Sequence, residues 1–413
     1  MKKPLIAFVF IWAMTFASQA QDGSLSPYSY YGYGDPLDPQ SVENAAMGHL
    51  NFYADTIHYN FLLPSSLGYL KYVNYAVAST LNFYRLQDQN SHFTGSAFLT
   101  PYIALGIPFG KAGIGIGFKP YSTSGYLIKR TFDSQNIAKT GEGGMNQFFF
   151  QAAYRPLKDW SIGAGFEQYF GNKLARIIHA RDSLKTMTKQ IDDAFFYGHT
   201  FRVSTHYTLH LPQDWYIQGG LLYRFQGRIH SQNNSTLQLL DYSYGVTRVV
   251  RQRILRQDTT ELIMPRKISL GLGVGRGNKW FIGAEWEKTY FGDYTNDFFT
   301  TPFARFQNAM SFKVGGFWNP EHRMYSTYWK RITYRAGFFQ QKGFLNLRGQ
   351  SIDQFGTTFG MSLPMGHYLS NVNVDFEYIN RGTTDNGLVK ENIFKIKIGL
   401  SFDDKWFIKM KIK

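Results

Sequence analysis

From about Leu67 to the end of the chain, apolar and polar residues alternate with a period of two. Phe201, Val203, Thr205, Tyr207 and Leu209 share one side of such a run, and Arg202, Ser204, His206, Thr208 and His210 share the other. Near the C-terminus Phe394, Ile396, Ile398, Leu400 and Phe402 alternate with Lys395, Lys397, Gly399 and Ser401. Successive side chains of a β-strand point to opposite faces, so each run predicts a strand with one oily face. The runs are roughly ten residues long, the length with which a tilted strand crosses a hydrocarbon layer. Beyond the N-terminus no stretch approaches the roughly 20 continuous apolar residues of a membrane helix. A membrane location therefore requires strands.

The connections alternate between short and long. Gly110-Lys111, Pro156 to Asp159, Pro212 to Asp214, Gly275 to Lys279 and Pro364 to His367 are short and carry turn residues. Ser122 to Gly144, Gly171 to Gly198 and Gly227 to Glu261 are long and read as external loops. Short turns on one side and long loops on the other are the habit of an outer-membrane barrel. Counting the runs predicts an all-β, antiparallel transmembrane barrel of about 14 strands. Four tryptophans recur after turns, in Asp159-Trp160-Ser161-Ile162, Asp214-Trp215-Tyr216-Ile217, Lys279-Trp280-Phe281-Ile282 and Lys405-Trp406-Phe407-Ile408. At strand starts, Trp160, Trp215, Trp280 and Trp406 would form an aromatic girdle at the periplasmic border, ring in oil and N–H toward water. Ser24 to Pro64, crowded with Tyr, Gly and Pro, keeps no period and predicts an irregular segment packed inside the barrel. The expected organisation is a signal peptide over 1–20, a plug over 21–64 and a barrel over 65–413.

Composition fits this picture. Aromatic residues make up 18% of the chain, with 40 Gly, while mean hydropathy is only -0.30, as when half of every strand faces a wet interior. Met1-Lys2-Lys3, the apolar run Pro4 to Phe16 and Ser18-Gln19-Ala20 have the three parts of a secretory signal. Removing them leaves 42 basic residues against 29 acidic, a net charge of +13, since the full chain has 44 and 29. That balance suits a phosphate-rich membrane surface, and the export signal disfavours nucleic acid. The absence of cysteine excludes disulfides, thiolate metal sites and cysteine nucleophiles.

The face opposite the girdle collects charges of both signs: Glu167, Arg202, Arg224, Glu285, Glu287, Lys313, Arg335, Asp375, Glu377, Lys395 and Lys397. These are expected to line the lumen, with Asp375 and Glu377 one strand before Lys395 and Lys397, close enough for cross-strand ion pairs. Two prolines fall in strand patterns, where they withhold a ladder donor. With Gly110-Lys111 as a two-residue turn, Pro101 would oppose Pro120, beside the permissive Gly117, predicting a kink or gap in the wall. Arg248, Arg251, Arg253 and Arg256 in one long connection, and Lys173, Arg176, Arg181, Lys185 and Lys189 in another, could clamp lipopolysaccharide phosphates. His230-Ser231 with Asn233 and Asn234 is the one compact trace of a nucleophile, without lipase or protease context, so no enzyme is expected. No metal-ligand cluster or phosphate-cradling glycine loop is recognisable, and no cofactor is expected.

Two stretches carry a resemblance to a known family. They are Ser26-Pro27-Tyr28-Ser29-Tyr30-Tyr31-Gly32-Tyr33-Gly34-Asp35 with Ala46-Met47-Gly48, and Arg381-Gly382-Thr383 with Lys390-Glu391-Asn392, Gly399-Leu400-Ser401-Phe402 and Trp406-Phe407. Together they resemble the FadL/TodX-like outer-membrane proteins. That resemblance implies fourteen strands, a plug in the lumen, and uptake of hydrophobic molecules such as long-chain fatty acids with release sideways through the wall. Leu63-Pro64-Ser65-Ser66 stands where such plugs carry an Asn-Pro-Ala turn. Two functions remain open: a passive channel for hydrophobic or amphipathic small molecules, and an accessory barrel in a larger outer-membrane export or assembly machine. The expected surroundings are outer-membrane lipid and lipopolysaccharide of a Gram-negative bacterium.

Overall fold

A computed structural model describes residues 23–37, 39–243, 246–294, 298–299, 303–321, 326–365 and 370–404. Fourteen wall strands follow in chain order: β1 (Val73–Gln87), β2 (His92–Phe109), β3 (Ala112–Pro120), β4 (Gln135–Leu157), β5 (Trp160–Arg181), β6 (Thr186–His210), β7 (Trp215–Arg224), β8 (Lys267–Arg276), β9 (Trp280–Thr289), β10 (Ala309–Trp318), β11 (Thr333–Lys342), β12 (Gln354–Pro364), β13 (Asn371–Arg381) and β14 (Lys390–Asp404). Each pairs antiparallel with its neighbours, and β14 returns to β1 from Val73↔Asp404 to Gln87↔Lys390, closing the ring. Closure removes the sheet edges that hydrocarbon could not satisfy.

The alternation of the sequence becomes the two faces of this wall. Phe201, Val203, Tyr207 and Leu209 are exposed outward, whereas Arg202, Ser204 and His206 are buried inward. β7 to β13 have 10 or 11 residues each, enough for an apolar band about 25 Å tall at a tilt near 45°.

The other half of the wall is taller, which corrects the sequence reading of its connections. Ser122 to Gly144, Gly171 to Gly198 and Gly227 to Glu261 are paired β-structure through most of their length. β5 and β6, with 22 and 25 residues, stay paired from Trp160↔Tyr207 to Ala180↔Met187. Tyr126–Phe132 adds a further strand against the top of β4. A hairpin of Gly227–Ser243 and Val246–Met264, hereafter the arm, rises above β7 and β8, which pair with each other beneath it from Trp215↔Arg276 to Arg224↔Lys267. Above the lipid these strands lose their oily face, and with it the amphipathic contrast by which strands were recognised.

The described residues between 23 and 72 lie inside the ring, with short 3-10 turns at Pro27–Tyr30 and Pro64–Gly68 and a helical turn at Val42–Ala45. Their contacts reach opposite walls: Tyr59 Oη to Gln151 on β4 at 2.7 Å, Ser65 N–H to Ser204 on β6 at 2.8 Å, and Gly48 N–H to Thr358 on β12 at 2.9 Å. Inward glycines mark where the segment's backbone touches the wall. Gly315 and Gly337 pair across β10 and β11, and a Cβ on either would stand 2.1 Å from the backbone of Met47 or Gly48.

Candidate functional site

The eleven charged residues expected in the lumen all point inward, and the structure sorts them into clusters that also hold the N-terminal segment. Glu285 on β9 faces Lys313 on β10 in register, 3.2 Å apart, and Lys313 also reaches Glu287 at 3.1 Å. Lys267 meets the other oxygen of Glu287 at 3.0 Å. Glu285 accepts in addition from Asn51 N–H, from Asn51 Nδ2 at 2.9 Å and from Phe52 N–H at 3.1 Å. On β13 and β14, Asp375 faces Lys397 and Glu377 faces Lys395 in register. Their ion pairs are 3.1 and 3.8 Å long, and His49 of the N-terminal segment closes on Glu377 at 2.8 Å.

Glu167 and Arg202 pair at 2.5 Å, and Arg202 also donates to the Leu62 carbonyl at 2.8 Å. Arg224 donates to the Pro265 carbonyl at 3.1 Å with Tyr121 beneath its guanidinium. Arg335 donates to Ser362. Low dielectric makes unpaired charges costly, so this pairing fixes the registry of wall and segment.

Several lumen charges were not singled out by sequence. Arg381 ties Asp35 at 2.9 Å to Glu391 at 3.1 Å. Buried Lys173 donates to the carbonyls of Tyr30 and Gly32, each at 2.8 Å, so it does not face lipopolysaccharide. Glu43, Asp55 and His58 lie on the aperiodic segment, where pattern gives no facing. Asp55 accepts His58 Nδ1 at 2.7 Å and the His58 N–H at 2.6 Å. Burial by itself would lower the His58 imidazole, but the Asp55 carboxylate and then Glu43 hold it up at about 9, while His58 and two backbone N–H groups hold Asp55 below the usual carboxylate range.

Among the described residues the wall is interrupted between β2 and β3. The β2–β3 ladder runs from Phe109↔Ala112 to Ile103↔Phe118 and stops, two residues short of Pro101 and Pro120. On its other edge β2 bulges there, because pairing with β1 passes from Ala78↔Tyr102 to Thr80↔Leu99. Past Pro120 the chain turns inward, Ser122–Thr123 pairing with Asp35–Pro36, and rejoins the wall as Tyr126–Phe132. Among the described residues nothing pairs with β2 above Ile103 on this side. Gly117 remains in the ladder opposite Ala104, and a Cβ there would stand 2.3 Å from Phe149, so packing of that ring accounts for it. Inside the interruption lies a cavity of about 240 Å³, lined by Leu99 and Pro101, by Tyr84, Phe339, Ile379 and Ile393, and by Glu287, Lys313 and Lys395.

Trp160, Trp215 and Trp280 open β5, β7 and β9, with the last two rings 5.3 Å apart edge to face. Trp318, which closes β10 opposite Trp280, joins them, and was obscured because it ends a strand rather than starting one. Trp406 lies outside the described residues. His230 and Ser231 are consecutive on a strand and point apart: His230 stacks on Tyr197 at 5.1 Å, and Ser231 donates to Asn233 at 2.6 Å. They do not form a nucleophile and base.

The whole chain, residues 1–413, matches one described family. The chain belongs to the BamG family. No curated protein matches it in sequence. Solved structures share its fold. The toluene transporter TbuX of Ralstonia pickettii superposes with a TM-score of 0.61 at 12% identity, over 89% of this chain and 99% of that one. A FadL homologue of Pseudomonas aeruginosa gives 0.61 at 10% identity, over 89% and 98%. The toluene transporter TodX of Pseudomonas putida gives 0.58 at 13% identity, over 90% and 99%. This BamG-family chain thus has the closed β-barrel fold of these FadL-type proteins.

Proposed function

We propose that the barrel is a passive channel for hydrophobic or amphipathic small molecules, of the long-chain fatty-acid kind, which leave sideways through the wall at Pro101 and Pro120. The observation carrying this reading is that the ladder stops at Ile103↔Phe118 and that the cavity behind it is lined by Leu99 and Pro101 themselves. A closed barrel gives a lipophilic solute no exit to the bilayer, whereas two prolines at one level withhold the donors that would seal the seam. The cavity sets apolar side chains such as Leu99, Ile379 and Ile393 beside the charges of Glu287, Lys313, Glu377 and Lys395, a mixed lining that suits a solute with an oily tail and a polar head. Residues 23–72 serve as the plug, with Gly23 and Leu25 lying against Leu99 and Gly95 at the inner side of the seam. The transport described for the matched proteins supports the same reading.

The test is uptake of labelled oleate and of toluene by cells producing the protein. Pro101→Val with Pro120→Val should extend the ladder and lower uptake several-fold; unchanged uptake by a correctly inserted double variant would exclude the exit. A second reading, an accessory barrel within a larger outer-membrane export or assembly complex, is favoured by a separate observation. The wall from β4 to the arm rises far above the opposite wall, an investment of chain that passage of a small solute does not require. Recovery of the barrel in stoichiometric complex with other outer-membrane proteins after mild solubilisation would support it.

A further inference from the structure

The arm ends in an open strand. Val246–Met264 pairs with Gly227–Ser243 along one edge, and among the described residues no strand pairs with its other edge, since β7 and β8 join directly beneath it. From Thr247 to Leu255 every residue is exposed on both faces of the sheet. This nine-residue stretch carries Arg248, Arg251 and Arg253 and no acidic residue. Arg248 stands opposite Asp241 on the neighbouring strand, whereas Arg251 and Arg253 stand opposite Leu239 and Leu237. Val249, Val250, Ile254 and Leu255 are 54, 61, 59 and 47% exposed, and Val250 and Leu255 stand at bulges.

Unpaired N–H and C=O groups along a strand edge are a template for another strand, and exposed aliphatics beside them add affinity. We propose that the outer edge of Thr247–Leu255 is a docking site for an extended, acidic segment of another outer-membrane protein, which adds to the arm as a further strand. Charge selects this occupant. Arginine pairs bidentately with carboxylates, whereas a second copy of the arm would set arginine against arginine. Height argues against lipid phosphate. Arg253 lies 11 residues beyond Met264 at the arm's base, on the order of 20 Å above the apolar band at strand rise and tilt. The inference gives the accessory reading a surface and a partner chemistry, and it stands or falls separately from transport.

The test places a photo-crosslinking benzoylphenylalanine at Val250 in the full chain, in native outer membranes, with adducts resolved to the peptide. The expected result is one adduct to an Asp- or Glu-rich extended segment of another outer-membrane protein. Its yield should fall about tenfold in an Arg248→Glu, Arg251→Glu, Arg253→Glu variant that keeps the heat-modifiable gel mobility of a folded barrel. An adduct to lipopolysaccharide, an adduct to a second copy of this chain, no adduct from folded protein, or a protein adduct indifferent to the charge reversal would each overturn it.

Discussion

Inward glycines and buried carboxylates decide how the N-terminal segment sits. At Gly315 an added methyl would meet the Met47 carbonyl at 2.1 Å. Gly315→Ala should therefore destabilise the folded barrel by about 1–3 kcal/mol, read as a lower urea midpoint for loss of heat-modifiable mobility. Glu285→Ala removes the acceptor of Asn51 and Phe52 and one of the two carboxylates at Lys313. The expected cost is about 3–5 kcal/mol, concentrated in the segment, so residues 50–53 should exchange amide hydrogens faster while β5 and β6 keep their protection. His58 gives a pH dependence. Because its imidazole is raised from 6.5 to about 9, its hold on Asp55 is complete below about 6.5 and is lost as pH rises through about 9. Asp55, lowered from 3.8, contributes above that value and loses its part on acidification. Proteinase K should cut within residues 53–63 faster at pH 9.5 than at pH 6, and His58→Gln should cut alike at both.

The arm and the seam are features of whole elements. β7 and β8 pair along their full length without help from the arm, whose base alone contributes Ile229, Leu262 and Met264 to the buried cluster above the lumen. Replacing Thr236–Leu255 by an Asn-Gly turn should therefore leave a barrel that inserts and keeps its heat-modifiable mobility; failure to insert would show that the arm's tip is needed for closure. Legibility differed between these elements for a physical reason. β10 or β13, oily on one side and wet on the other, can be read directly from period two. The upper halves of β4 to β6 and the arm have water outside, so Arg251 and Leu255 are both exposed and no contrast remains. The register of the β2–β3 turn was legible because Gly110-Lys111 leaves one way to count. That the ladder would stop before Pro101, and that Gly117 would instead serve Phe149, required the partners.

At the scale of the molecule, an apolar belt closed on itself encloses a polar interior that is bonded to its own N-terminus. Belt and interior were written in alternate letters, because lipid outside and charges inside impose opposite chemistry on adjacent residues. Thus Glu167, Lys313 and Asp375 could be assigned inward from their neighbours alone. Which of them pair could be anticipated only across adjacent strands, as for Asp375 and Lys397. The bond from Ser26 to Glu391, 365 residues apart, or the seat of Met47 between Gly315 and Gly337, could not.

The sequence by itself determined the strands, their facing, an approximate count and the inward charges, since these follow from a period of two against a sharp boundary between oil and water. Only the tertiary structure decided the path of the aperiodic N-terminal segment, the point at which the ladder stops beside the two prolines and the free edge of the arm. Each of those depends on which groups meet or fail to meet across space, and a linear pattern does not carry that information.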